Sequence, residues 1–448
     1  MSQPALRSSA LAASPLTDAR TLEFTVDVLN QHFDLEATGY CCQTRDLWQV
    51  LVAAAAQGST IEAICRDLKD VPDSNTVRSY LNDQLTPEQV RPLEAQFNAA
   101  LASQLPRWFV RSLRQPSTEF ALDQHDVPYY GKLDQATQDQ ATQDQATQDQ
   151  ATQDQATQDQ ATQDQATHWV CRGPAHDGTT RFYRCATASV LQHHKRWTLA
   201  VTFVHPQDSL VAIVERLLER VRAIGLRRGC VYLDKAFSGI PVLRYLLQET
   251  KLAAVVATPV RGKAPTPEGS GGGTGSGGGT RGLCRGRASY RTDYTFRSAL
   301  HGTLKAPLGV VRTWSERRGH PAGVGSRQSQ WLVYVLIRCR LRIQDVRRRY
   351  RRRFGIESSY RLLEQVRLRT SSLNEALRFL AMGLALLLGS VWIALHWRHL
   401  RVPGSGPRRV AKERFPLEQM ANFLRRAVEA IYGVTAKILR PPPKIGIY

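Results

Sequence analysis

The chain has 448 residues, with 60 Lys+Arg against 39 Asp+Glu, a formal charge of +21 and a pI near 10.0. Hydrophobic residues make up 42% of it, which excludes a wholly disordered chain. The length predicts two or three domains, because a single core rarely grows past roughly 250–300 residues. One low-complexity block holds seven Asp and no basic residue, so the other 413 residues carry 60 basic and 32 acidic side chains, a net of +28. An excess that large repels itself unless a polyanion lies beside it, which ranks nucleic acid first among partners and a neutral small molecule behind.

The first 100 or so residues are helical in pattern, and residues 1–105 are expected to form an all-α domain. Its informative part is STIEAICRDLKDVPDSNTVRSYLND, residues 59–83. An apolar helix breaks at Val71-Pro72-Asp73, and a second begins behind a Ser74 or Asp73 cap. That spacing resembles a helix-turn-helix, which offers Asn75, Thr76, Arg78 and Ser79 to a DNA groove. An ordinary helical hairpin fits the same pattern.

From residue 118 onward strands and helices alternate. TEFALD (118–123) and WTLAVTFV (197–204) read as strands, SLVAIVERLLERVRAIG (209–225) as a helix ending at Gly225, and GCVYLD (229–234) as a strand. A helix around Ile240–Glu249 and the strand LAAVVATPV (252–260) follow, an α/β order with at least one crossover connection. SYRTDYTF, LGVVRTW and QWLVYVLI are β-like pieces that form an antiparallel insertion or extend the sheet, and the chain is mostly helical from Val346. Two segments interrupt this order. Residues 134–168 run through the unit DQATQ seven times, the last copy ending in His168, with no apolar face to bury, and are expected to be disordered or weakly structured. Gly269–Gly282, GSGGGTGSGGGTRG, is a flexible linker by composition and lacks the GK[ST] of a nucleotide loop.

The seventeen uncharged residues from Phe379 to Leu395 sit at the short limit for a membrane span and have basic flanks on both sides, so a buried core helix is expected and no membrane partner. Eight Cys without a CxxC pair, and no secretory apolar run, predict reduced thiols in a cytoplasmic, nucleoid-associated protein.

Three acids stand where chemistry would need them. Asp123 and Asp234 each close a predicted strand, on the edge of an α/β sheet where function collects. Each alone is ordinarily a turn residue or a helix cap. Glu357 lies in the helix DVRRRYRRRFGIESSYRLLEQVR. If the three converge, their oxygens suit two Mg²⁺ (or Mn²⁺) ions about 3.5–4 Å apart, the arrangement that activates an attacking hydroxyl and stabilises the leaving oxygen in phosphoryl transfer. Tyr350, Arg353 and Glu357 fall at about 0°, 300° and 340° around that helix, and Arg361 joins their face. Six of the seven residues 347–353 are Arg, including Arg347, Arg348 and Arg349. The plain reading of that run is a solvated basic face; the functional one is a set of phosphate contacts.

With those residues in view, the chain resembles DDE-type transposases of the insertion-sequence-four group, whose signature is Tyr, two residues, Arg, three residues, Glu, six residues, Lys or Arg. YRRRFGIE places Tyr350, Arg353 and Glu357 in register, and Glu364 stands where the basic residue is expected. ALDQHDVPYYGK matches the first-Asp motif, with Asp123 preferred to Asp126, and VYLDKAFSGIPVLRYL matches the second, with Asp234. GTTRFYRCATASV and RTSSLNEALRFLAMGLALLLGSVWIAL look like the family's later strand and its helix after the Glu. The resemblance covers most of residues 118–400.

It implies an α/β, RNase H-like mixed sheet over 118–260, interrupted by the 134–168 repeat. A linker and β-rich insertion over 261–340 precedes the catalytic Glu helix and core helix of 341–400, and 401–448 is a basic C-terminal segment. It further implies Asp123, Asp234 and Glu357 as catalytic metal ligands. Tyr350 and Arg353 would contact DNA near the scissile phosphate, with Arg361 and Lys235 as weaker contacts. Tyr129, Tyr130, Phe237 and Trp314 are candidates to stack on a displaced base, although each suits a core as well. The expected activity is metal-dependent cleavage and transfer of strands at the ends of a mobile element, by a homodimer in a synaptic complex with DNA. A nuclease that does not join strands, and a degenerate DNA-binding relic, are the rival readings.

Overall fold

The computed structural model describes residues 15–115, 117–131, 169–192, 196–262, 279–316, 327–404 and 408–436. The DQATQ tract of 134–168 and most of the Gly-rich linker lie outside the described residues. The chain divides into two compact units, one made of Met1–Thr86 with Leu362–Tyr448 and the other of Pro87–Arg361. This differs from the expected segmentation at two places. The boundary falls at residue 86 rather than 105, and the chain after Arg361 returns to the N-terminal helices.

In the first unit, Thr17 caps the helix Asp18–His32, and strands β1 (Thr38–Gly39) and β2 (Cys42–Gln43) form a small hairpin before the helix Thr44–Ala56. Every residue from Leu47 to Ala56 is buried, so this helix is a core element rather than an amphipathic one. The helix Leu417–Tyr432 buries Leu417, Met420, Ala421, Leu424, Ala427 and Val428, a stripe at helical spacing, against the Asp18–His32 and Thr44–Ala56 helices. The hydroxyl of its last residue, Tyr432, lies 2.6 Å from both Asp46 Oδ1 and Gln49 Oε1. The segment expected to be a basic tail thus supplies part of this core, because its charges fall on one face and its apolar residues on the other. The Glu375–His399 helix is apolar and long enough to cross a membrane, yet 89% of its most apolar window is buried within the protein. The two helices of the expected helix-turn-helix are Ile61–Asp67 and Ser74–Gln84, and Asp73 is the cap, accepting from Asn75 N–H at 2.8 Å.

The second unit is built on a nine-stranded sheet. Its strands are β3 (Glu119–Pro128), β4 (Val170–His176), β5 (Thr179–Val190), β6 (Thr198–Phe203), β7 (Cys230–Leu233), β8 (Ala253–Thr258), β9 (Tyr290–Ser298), β10 (Gly302–Glu316) and β11 (Arg327–Ile337). They lie in the order β4-β5-β3-β7-β8-β11-β10-β9, and β6 shares the outer edge of β5 with β4. Among the described residues the parallel pairings are β3 with β7 and β7 with β8. Their centres, Phe120–Leu122, Val231–Leu233 and Ala254–Val256, are completely buried, as parallel strands covered on both faces must be. The helices Leu210–Ile224 and Ile240–Gln248 make the crossovers from β6 to β7 and from β7 to β8. The first starts at a Ser209 cap and stops at Gly225, whose φ of +112° a side chain would resist. The β-like pieces after the linker extend the sheet: β11 pairs antiparallel with β8, β10 with β11 and β9 with β10.

The free edge of β6 is closed by side chains. Asn98, on the helix Val90–Ser103, accepts from Val201 N–H at 3.0 Å and donates to Val201 C=O at 2.8 Å, while Glu94 accepts from Phe203 N–H at 2.7 Å. An unpaired strand edge is a site for pairing with another chain, and here the helix occupies it. Asn98→Ala orphans both polar groups of Val201 and is expected to cost about 2–4 kcal/mol, read as a lower urea midpoint; an unchanged midpoint would show the edge to be satisfied some other way. Pro128 and Cys171 both register on Phe182, from opposite sides of β5. They therefore stand two strand spacings, roughly 10 Å, apart, a gap that a few residues bridge. Deletion of residues 134–168 is expected to leave the melting temperature unchanged or higher, since loop closure becomes cheaper by about 0.6 kcal/mol per halving of length. A fall of many degrees would mean that the tract supports the fold.

Candidate active site

The register of the parallel strands brings the two aspartates together. Leu122 is paired with Leu233 across β3 and β7, and Asp123 and Asp234 are the residues that follow each of them in the chain. Strand neighbours at one level lie about 4.8 Å apart, so residues 111 positions apart in the chain become neighbours. Asp123 does not end its strand, as the sequence suggested. β3 continues to Pro128 because β5 pairs with it along Phe120–Pro128, and it is β7 that stops at this level. Asp234 leaves β7 as the cap of a short turn of helix, Lys235–Phe237, and accepts from Lys235 N–H at 2.7 Å.

The third acid arrives on a broken helix. The expected continuous helix is Ile343–Tyr350, a tighter 3₁₀ turn at Arg351–Arg353, and a second helix, Phe354–Leu363. Across that join Arg353 and Glu357 still face one another, with Arg353 Nη2 at 3.1 Å from Glu357 Oε1. The same guanidinium places Nη1 at 3.1 Å from Asp123 Oδ2 and Nη2 at 3.7 Å from Asp234 Oδ1. Asp123, Asp234 and Glu357 thus converge on a single point, and the side chain of Arg353, 4% exposed, sits at it.

Three carboxylates around one guanidinium leave two negative charges in excess when all are ionised. The Asp123 carboxyl is pushed up to about 6, first by burial and then by the charges of Asp234 and Glu357, with Arg353 pulling the other way. The position is graded in depth: Asp123 is buried, Asp234 half-buried, and Glu357 open to solvent. Tyr350 donates to Leu233 C=O at 3.3 Å and lies with its ring 5.6 Å from the Arg353 guanidinium carbon. Tyr350 and Arg353, expected to face DNA, are both buried on protein partners. Lys235 and Arg361 are exposed.

The other arginines of the run are largely engaged within the protein. Arg349 and Arg352 both pair with Glu119, at 2.7 and 2.8 Å, and Tyr232 donates to the same carboxylate at 2.8 Å. Arg348 pairs with Asp345 at 2.7 Å, and Arg347 donates to Thr313 Oγ1. Arg351 is exposed and has no ion-pair partner among the described residues. Glu119 was not singled out in the sequence; the only signal was an acid opening an otherwise apolar strand. Asp126 is taken by Arg184, in a two-pronged contact at 2.6 and 2.9 Å, which leaves Asp123 as the acid of that motif at the convergence. Of the aromatic candidates, Tyr129 and Phe237 are buried, while Tyr130 and Trp314 are exposed. In the other unit Asn75 is exposed and accepts from Arg78 at 2.8 Å, so Arg78 is folded back along its own helix. Glu364, at the position of the expected basic residue, pairs with Arg367 at 2.8 Å.

Among the described residues no three His, Cys, Asp or Glu side chains are drawn close enough to hold a metal ion as they stand. The donor set nevertheless suits a hard divalent cation, being all carboxylate oxygen with charge to spare, and Arg353 occupies the place such an ion would take.

Because the Asp123 carboxyl titrates higher in the fold than its ordinary value of 3.8, the folded chain binds more protons than the unfolded one between about pH 4 and 6. The stabilisation from its protonated form is complete at the acid end of that window and is lost as pH rises through about 6. Asp123→Asn is expected to remove this contribution, so that stability measured by urea from pH 4 to 7 falls less steeply than in the parent; identical slopes would refute the assignment.

No protein-family model matches the chain, and the comparison with curated proteins returns no match. Among solved structures, the chain is similar to the piggyBac transposase in its synaptic complex with hairpin DNA, determined by cryo-EM. The TM-score is 0.46 at 11% identity, over 94% of this chain and 78% of that one.

Proposed function

We propose that the chain is a DDE-type transposase of the insertion-sequence-four group that cuts DNA strands at the ends of a mobile element and joins them to target DNA. The observation that carries this reading is the convergence of Asp123, Asp234 and Glu357, from two adjacent parallel strands and one helix, on a single buried point. The sheet supports it. Strands β6, β5 and β3, each antiparallel to its neighbour, continue into the parallel β7 and β8, with β9–β11 inserted before the Glu helix, as an RNase H-like core with a β-rich insertion requires.

In this reading Asp123, Asp234 and Glu357 hold Mg²⁺ or Mn²⁺, two ions when fully loaded. Such ions supply Lewis-acid activation of an attacking oxygen and stabilisation of a leaving one. The chain's own residues prepare the place. β3 and β7 fix the two aspartates at one level, and the Arg353 guanidinium compensates the acids and withdraws from their focus when cations replace it. Lys235 and Arg361, exposed beside Asp234 and on the Glu helix, meet phosphates of the DNA, as Asn75 and Arg78 do in the helical unit. A homodimer that pairs two DNA ends completes the proposal, in a cytoplasmic protein bound to the nucleoid.

A second reading has one observation in its favour. The convergence is closed by Arg353, which suits a relic that binds DNA without cutting it. A labelled duplex carrying the DNA that flanks the gene separates the readings. With Mg²⁺, a transposase yields both cleaved and strand-joined product, and Asp123→Ala, Asp234→Ala and Glu357→Ala each lower the rate by at least about a hundredfold with DNA affinity retained. Cleavage without joining assigns a nuclease. Binding with no cleavage in Mg²⁺ or Mn²⁺ assigns the relic.

A further inference from the structure

A cavity of about 690 Å³ in the Pro87–Arg361 unit lies away from the three carboxylates. It opens at the opposite ends of the same strands, among Glu119 of β3, Cys230 of β7 and Ala253 of β8. Glu119 and Asp123 are four residues apart on β3, as are Cys230 and Asp234 along the next strand, so the cavity lies roughly 13 Å from the convergence. Six of its lining residues are cationic, namely Arg227, Arg228, Lys251, Arg338, Arg340 and Arg349, and one is acidic, Glu119. That carboxylate is already matched by Arg349 and Arg352. Arg227, Arg228, Lys251 and Arg340 have no ion-pair partner among the described residues, and all four are exposed.

The rim is held in place at a local cost. Arg338 adopts a φ of +45°, in the left-handed region that residues other than glycine rarely enter. Its guanidinium is bound to Leu246 C=O at 3.0 Å and Leu247 C=O at 2.6 Å, which fixes the turn that presents Arg340 to the cavity. Four unmatched cations gathered in a concavity concentrate positive potential. Guanidinium forks match the paired oxygens of a phosphate, and a volume of this size takes a sugar-phosphate segment rather than a lone carboxylate.

We propose that this cavity is a second phosphate-binding site, separate from the three carboxylates, in which Arg227, Arg228, Lys251 and Arg340 hold phosphate groups. The phosphates come either from the backbone of duplex DNA or from a free polyphosphate. The site does not depend on the strand-cleaving reading, because a chain with no cleavage activity has the same cavity.

The test compares the parent with the triple variant Arg227→Ala, Arg228→Ala, Lys251→Ala and with its control Arg227→Lys, Arg228→Lys. Binding of a labelled 20-base-pair duplex is measured against salt, and binding of inorganic pyrophosphate by calorimetry. Each phosphate that is no longer neutralised lowers the slope of log K against log salt by about 0.9, so the triple variant is expected to lose about 2–3 from that slope while the lysine control keeps it. That result assigns the DNA backbone. An unchanged slope with pyrophosphate binding abolished in the triple variant assigns a free polyphosphate. If both measurements match the parent in a variant whose melting curve is also unchanged, the proposal is overturned. All three substituted residues are exposed, and none belongs to the carboxylate cluster.

Discussion

The contact of the Arg353 guanidinium with three carboxylates is the interaction on which the rest of the candidate site depends. A buried arginine without counter-charge, or three acids crowded together without a cation, would each be strongly unfavourable. Together they compensate, at contacts of 3.1 to 3.7 Å. The compensation is incomplete, and the deficit is visible at the deepest acid, whose carboxyl is raised to about 6 by burial and by its two acidic neighbours. The cluster therefore retains negative charge in a sheltered place, with the arginine as its counter-ion.

The sheet makes this convergence possible by register. One residue of slip between β3 and β7 would turn Asp123 to the opposite face from Asp234, since side chains alternate along a strand. That register is fixed in the parallel ladder, which pairs Glu119–Leu122 with Cys230–Leu233 residue for residue. The β9–β11 extension carries the chain away from β8 and back along β11, so that the Glu helix starts from the turn after Ile337. Glu119 does a parallel service at the other end of β3. By holding Arg349 and Arg352 it anchors the helix segment from which Arg353 reaches the acids.

The arginine run consequently has two roles that its composition does not separate. Arg347, Arg348, Arg349, Arg352 and Arg353 have partners inside the protein, while Arg351 remains exposed. Most of the local charge is structural, spent on fastening a helix to a sheet. Further unmatched positive charge gathers around the cavity at the far strand ends, from Arg227, Arg228, Lys251 and Arg340, which are scattered over more than a hundred residues of chain.

Much of the architecture was legible in local pattern. The helix over 209–225, the strands before Asp234 and after Leu252, the three β segments past the linker and the burial of the Phe379–Leu395 helix all follow from hydrophobic period, caps and glycine, which act over a few residues. The spacing of Tyr350, Arg353 and Glu357 on one face was likewise a matter of helical geometry. Partnership was not legible. That Asp126 belongs to Arg184, that Glu119 holds two arginines, that Arg353 stands between the acids, and that the C-terminal helix completes the N-terminal core are decided by residues tens to hundreds of positions apart. Ion pairs and packing depend on distance in space, and a one-dimensional pattern records periodicity along the chain without recording which elements meet.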